Sequence, residues 1–102
     1  MHPRVSLVID DRQTLTLDAG EAGSTPEAAR AWLDAQFVAL ECEPLRASGK
    51  VLLADKVLAV AQAAGPERWS DATWSRAFAA AATAALGQPL VTVDLRTSTL
   101  AY

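Results

Sequence analysis

The sequence predicts an α+β fold with the element order β-β-α-α-α-β: a small antiparallel sheet in the order 2-1-3 with three helices packed on one face. Three observations predict it. Two segments near the start alternate apolar and polar residues with the period of a half-buried strand. Three central segments carry apolar residues at helical spacing, bounded by capping residues and by Gly or Pro. A last alternating run, Leu90–Thr97, closes the chain.

The first pair is Val5–Ile9, with Val5, Leu7 and Ile9 on one side, and Gln13–Asp18, with Leu15 and Leu17 inward. Asp10-Asp11-Arg12 between them reads as the short polar turn of a hairpin. Ser6, Thr14, Thr16 and Asp18 fall on the other side and give the sheet one solvated face. Thr25 as cap with Pro26 at the first helical position, or Ser24 and Glu27 as a capping box, starts a helix running to about Glu41. Its inner face is Ala29, Trp32, Leu33, Gln36, Phe37 and Leu40, and Pro44 ends the segment.

Lys50–Ala64 reads as the second helix, with Ser48 as cap and Gly65-Pro66 as stop. Its opening residues, Gly49–Leu53, also fit a short strand, because short apolar runs are ambiguous in period. Ser70 is the expected cap of the third helix, Asp71–Leu86, with Trp69 and Trp74 as a hydrophobic staple. Trp74, Phe78, Ala81, Ala82 and Ala85 form its inner stripe; Arg76 and Thr83 point away. Gly87 and Pro89 terminate it. In the last strand Val91, Val93 and Leu95 oppose Thr92, Asp94 and Arg96. Leu100 and Tyr102 break that parity, which suggests a bulge near Ser98. If every connection reverses the chain, the last strand runs antiparallel to the first. It is then the sheet edge best suited to homodimer pairing.

At 102 residues, 51% hydrophobic and 21% charged, the chain has the composition of a single globular domain, residues 1–102. Twenty-two residues are alanine, so the apolar content is small in volume. The net charge of −3 argues against direct nucleic-acid binding, which needs clustered Lys and Arg. Residues 1–43 carry eight acids against three arginines, a net of −5; residues 44–102 carry four acids against six bases, a net of +2. The acidic first half favours a basic partner or head-to-tail self-association. No signal-like start and no stretch long enough to span a membrane appear, so a cytoplasmic location is expected, with no membrane partner. The alanine-rich, Arg-over-Lys composition suggests a GC-rich bacterial genome.

No full motif for a nucleophile, metal, nucleotide or redox cofactor appears, and no cofactor is expected. His2 is the single histidine and stands near a terminus, which disfavours a nucleophile–histidine dyad. Cys42 stands alone between Glu41 and Glu43, whose charges oppose a thiolate. Asp10, Asp11, Asp18 and Glu21 match no calcium-loop spacing. Arg46-Ala47-Ser48-Gly49-Lys50 precedes a helix start and is a weak candidate for anion binding through Arg46, Ser48, Gly49 and Lys50. It departs from a P-loop, because the first glycine is missing and Val51 replaces the Ser or Thr.

Elimination therefore leads to a non-catalytic protein-binding module of the inhibitor, antitoxin, immunity or accessory type. Its expected partner is a more basic protein, met through Asp10, Asp11, Asp18, Glu21, Asp34 and Glu41, with Trp69 as an aromatic anchor. One alternative is a small oligomeric ligand-binding protein or enzyme using a sheet–helix cavity with Asp94, Arg96 and Arg46. A second alternative is a structural self-assembling protein held by edge-strand or alanine-helix contacts.

Overall fold

The computed structural model describes residues 3–20, 23–42 and 53–102. The first two strands are where the alternation places them: β1, Arg4–Val8, and β2, Thr14–Asp18, pair antiparallel from Arg4↔Asp18 to Val8↔Thr14. The Asp10 carboxylate accepts from the Arg12 N–H at 2.7 Å and fixes the turn between them.

Helix α1 spans Pro26–Ala39. Thr25 is its cap, accepting from the Ala28 N–H through its hydroxyl, and Pro26 takes the first helical position, where its missing N–H costs nothing. The helix ends two residues earlier than the expected Glu41, because Glu41 itself adopts the left-handed conformation (φ 53°). That turn lets the Cys42 N–H reach back to the Phe37 carbonyl and closes the last turn.

Helix α2 spans Leu53–Trp69 and is broken at Gly65, whose φ of 78° and ψ of 171° are far from helical. The stop expected at Gly65-Pro66 is thus a kink, after which Pro66–Trp69 adds one further turn. Its start, and the choice between helix and strand for Gly49–Leu53, fall largely outside the described residues; Leu53 itself is helical.

Helix α3 spans Ala72–Leu86. Its cap is Asp71 and not Ser70: the Asp71 carboxylate accepts from the N–H groups of Thr73 and Trp74. Ser70 instead donates its hydroxyl to the Pro66 carbonyl at 2.9 Å. With Asp71 as cap, Ser70 and Ser75 occupy the positions expected of Trp69 and Trp74, so no staple forms.

The C-terminal run is two strands and not one. Strand β3, Leu90–Asp94, is followed by a turn over 95–98, and β4, Thr99–Ala101, folds back against it with Val93 opposite Leu100. Ser98 takes a left-handed φ of 53° within that turn. The parity break at Leu100 is therefore a chain reversal, and it returns Leu100 to the same face as Val93.

The sheet order is β2-β1-β3-β4. The 2-1-3 core of the expected order is present, with β4 added outside it. β3 lies parallel to β1, from Arg4↔Leu90 to Val8↔Asp94, which corrects the expected antiparallel pairing. The physical reason is geometric. Hydrogen-bonded strands must be parallel or antiparallel, but packed helices cross over a range of angles, so direction does not alternate reliably through three of them.

One face of the sheet bears two apolar rows, Leu17–Val5–Val91 and Leu15–Leu7–Val93–Leu100, set by the register. Val5, Leu7, Val91 and Val93 are fully buried there. α3 lies on this face against β1, β2 and β3, while α1 and α2 pack on α3 and α2 also reaches β4. Every residue from Phe78 to Thr83 is buried, which is more than one full helical turn. The middle of α3 is therefore enclosed on all sides, and its alanine run allows that close approach. Thr83, expected to point outward, is buried and satisfies its hydroxyl by donating to the Ala79 carbonyl at 2.8 Å.

Candidate functional site

The described acidic residues singled out in the sequence are not all brought together. Asp10 and Asp11 lie in the β1–β2 turn, whereas Asp18 sits at the other end of that hairpin, opposite Arg4. Five strand residues separate the two ends, a span of about 17 Å. Glu41 follows α1. The Ser24 end of α1 shares a cleft with Thr83 and Gly87 of the α3 terminus, and Gln36 of α1 accepts from the Trp74 indole at 3.1 Å. α1 and α3 thus run antiparallel, and Glu41 lies at the end of the pair remote from Pro3 and Asp18. Glu21 lies outside the described residues, as do His2 and the candidate anion-binding set Arg46, Ser48, Gly49 and Lys50.

Among the described residues Arg96 and Lys56 each pair with an acid distant in the chain, and Arg96 also pairs locally with Asp94. Arg96 donates from Nη1 to Asp11 at 2.6 Å and from Nη2 to Asp94 at 2.8 Å. Lys56 of α2 pairs with Asp34 of α1, with its ammonium also over the Phe37 ring. Asp11 and Asp34 belong to the acidic first half of the chain, and Arg96 and Lys56 to the basic second half. Folding therefore cancels part of the charge asymmetry along the sequence. At the exposed Lys56–Asp34 pair such contacts contribute between about 0 and 1 kcal/mol.

The Asp11–Asp94–Arg96 group sits where the two parallel central strands end together. The Leu95 N–H donates to the Val8 carbonyl at 2.8 Å and carries the ladder one step further. Asp94 at the end of β3 receives both the backbone N–H and the guanidinium of Arg96, at 3.0 and 2.8 Å. Those hydrogen bonds and the adjacent positive charge lower its carboxyl pKa to about 2, and they raise that of Arg96. The carboxylate form thus stabilises the fold at every pH above the ordinary carboxyl range, and that contribution is lost as pH falls towards 2. A carboxyl-carbon NMR titration is expected to give Asp94 a midpoint near 2. In Arg96→Ala the midpoint should return towards the ordinary 3.8. An unchanged midpoint in that variant would contradict the assignment.

Trp69 corrects the sequence reading most plainly. It is buried, 9% exposed, and its indole N–H donates to the Ala61 carbonyl at 3.1 Å, so it is no surface anchor. Ala61 lies in the last turn before the Gly65 break, so this bond ties the turn after the kink to the helix before it. The Trp69 backbone carbonyl also accepts from the buried Ser75 hydroxyl at 2.6 Å, which ties the short turn to α3. The other two tryptophans lie between α1 and α3. Trp74 stacks on Phe78 with ring centres 5.2 Å apart, and Trp32 tilts against it at 6.0 Å. Cys42 is half-buried, and burial raises its thiol pKa.

A cleft of about 340 Å³ opens at the opposite end of the sheet from Asp94 and Arg96, between Pro3, Ser24, Ala80, Thr83, Gly87 and Pro89. None of the described residues lining it is charged. The carboxylate and arginine groups expected of a sheet–helix cavity therefore lie away from it, with Arg46 outside the described residues. Among the described residues no group of three His, Cys, Asp or Glu side chains could hold a metal ion, and no helix is long and apolar enough to cross a membrane. Comparison with protein-family models, curated proteins and solved structures finds no match.

Proposed function

We propose that this chain is a non-catalytic protein-binding module of the inhibitor, immunity or accessory type, which meets a more basic partner protein through its β1–β2 turn. The observation that carries the reading is the presentation of Asp10 and Asp11. The Asp11 side chain is 89% exposed even while paired with Arg96. Asp10 is exposed too, and its carboxylate holds the turn that displays both. Rigid carboxylates at a sheet end steer a basic surface over roughly a Debye length, about 8 Å at physiological salt. Glu41 and Asp34, on and after α1, form the second acidic position of the proposal, with Asp34 weakened by Lys56. A cytoplasmic bacterial setting belongs to the same reading.

The test is capture of partners from lysate by the tagged chain at low and high salt, repeated with the double variant Asp10→Lys/Asp11→Lys. A stoichiometric basic protein, retained at low salt, released at high salt and lost with the double variant, is the expected result. A partner captured equally by both proteins would remove the turn from the interface. Recovery of the chain alone would end the reading.

A further inference from the structure

The two edges of the sheet are unequal. β4 has three residues, and a very short edge strand is a usual protection against pairing. β2 has five residues, pairs without interruption along β1 and contains no Pro, Lys or Arg. The phase of its ladder is fixed at both ends. The Ile9 N–H donates to the Gln13 carbonyl and the Ala19 N–H to the Pro3 carbonyl, each at 3.0 Å. Antiparallel pairs alternate, so Gln13, Leu15, Leu17 and Ala19 turn their backbone groups towards β1. Thr14, Thr16 and Asp18 turn theirs outward, along an edge that no described strand pairs with.

We propose that β2 pairs antiparallel with β2 of a second copy of this chain, about a two-fold axis through Thr16, giving a continuous eight-stranded sheet. The sequence of the edge selects both occupant and register. With Thr16 opposite Thr16 of the copy, Thr14 stands opposite Asp18, and all three outward residues of each strand exchange hydrogen bonds. Shifting the axis by one residue either way leaves two such pairs within the strand. Shifting it to Asp18 sets two carboxylates directly opposite, which is destabilising. The Thr16 register instead keeps the two Asp18 side chains four residues apart, about 13 Å, beyond the screening length. On the helix face it sets half-buried Leu15 against Leu17 of the copy, an apolar pair that continues the core row.

Analytical ultracentrifugation over a concentration series tests this with the full chain. The wild type is expected to approach twice its 10.8 kDa mass as concentration rises. Thr16→Pro removes an N–H on the open edge only, which an edge strand tolerates. It should raise the dissociation constant at least about tenfold. Thr16→Lys places two ammonium groups across the axis and should do the same; it serves if the proline variant fails to fold, with circular dichroism as the check. A wild type that stays monomeric at every attainable concentration would overturn the proposal. So would a dimer that persists unweakened in either folded variant, which would move the contact elsewhere, β4 included.

Discussion

Phe78→Ala is expected to lower the unfolding free energy by about 3–5 kcal/mol, read from the shift in urea midpoint at constant slope. Phe78 heads the fully buried side chains by volume, and its ring stacks on Trp74. The surroundings set the loss near the upper end of that range. Ala79, Ala81 and Ala82 beside it in the chain are buried methyl groups with no side-chain torsion, so they cannot swing into the void. A domain of this size holds only about 5–15 kcal/mol in total, so the variant forfeits a third or more of it. Phe78→Leu, which leaves a far smaller void, should cost about 1.5 kcal/mol or less. A loss below about 1 kcal/mol for the alanine variant would mean that α3 is not enclosed as described.

The second large effect is conformational. Gly65→Ala is expected to destabilise by about 1–3 kcal/mol in the same measurement. Nothing lies within 4 Å of where the new methyl would point, so there is no clash with a neighbour. The cost arises from the backbone. Gly65 combines φ 78° with ψ 171°, a region that residues with a side chain scarcely enter. Pro66 demands an extended ψ of the residue before it, so the alanine cannot relax by returning to the helix. The break also positions the Pro66–Trp69 turn, with Trp69 on Ala61 and Ser75 on the Trp69 carbonyl. A change below about 0.5 kcal/mol would show that the kink is not required.

These two residues also mark what the sequence disclosed. Gly65-Pro66 and Thr25-Pro26 act through the local backbone, so their places could be read from a few neighbours. The same holds for the β1–β2 turn and for the alternating faces of both flanking strands. The inner stripe of α3 was legible from its spacing, but the burial of Thr83 on its other side was not. What failed to show depended on the third dimension. Ser70 and Asp71 are both good caps, and only the start of the helix decides between them. Trp69 follows a proline turn and reads as a connector, yet the broken helix supplies a carbonyl for its indole. Leu95–Ser98 lacks a strong turn signal, so the hairpin of β3 and β4 read as one long strand. The parallel pairing of β1 and β3 has no local signature at all.

The candidate site was less legible than the fold. Counting acids along the chain could not foresee that Arg96 would reach Asp11 across 85 positions, or that Lys56 would meet Asp34. Both contacts draw charge from the halves that the count had set apart. Nor could the sequence tell that Asp18 sits at the far end of a hairpin from Asp10, since only strand length separates the two.

The proposed steering of a basic partner by the β1–β2 turn is tested by the association rate constant of a partner so captured, followed by stopped flow across ionic strength. For the wild type the rate should fall steeply as salt rises, while Asp10→Lys/Asp11→Lys should associate about tenfold more slowly or worse at low salt. Unfolding midpoints of the two proteins should nearly coincide. Rates that are indifferent both to salt and to the charge reversal would contradict the claim.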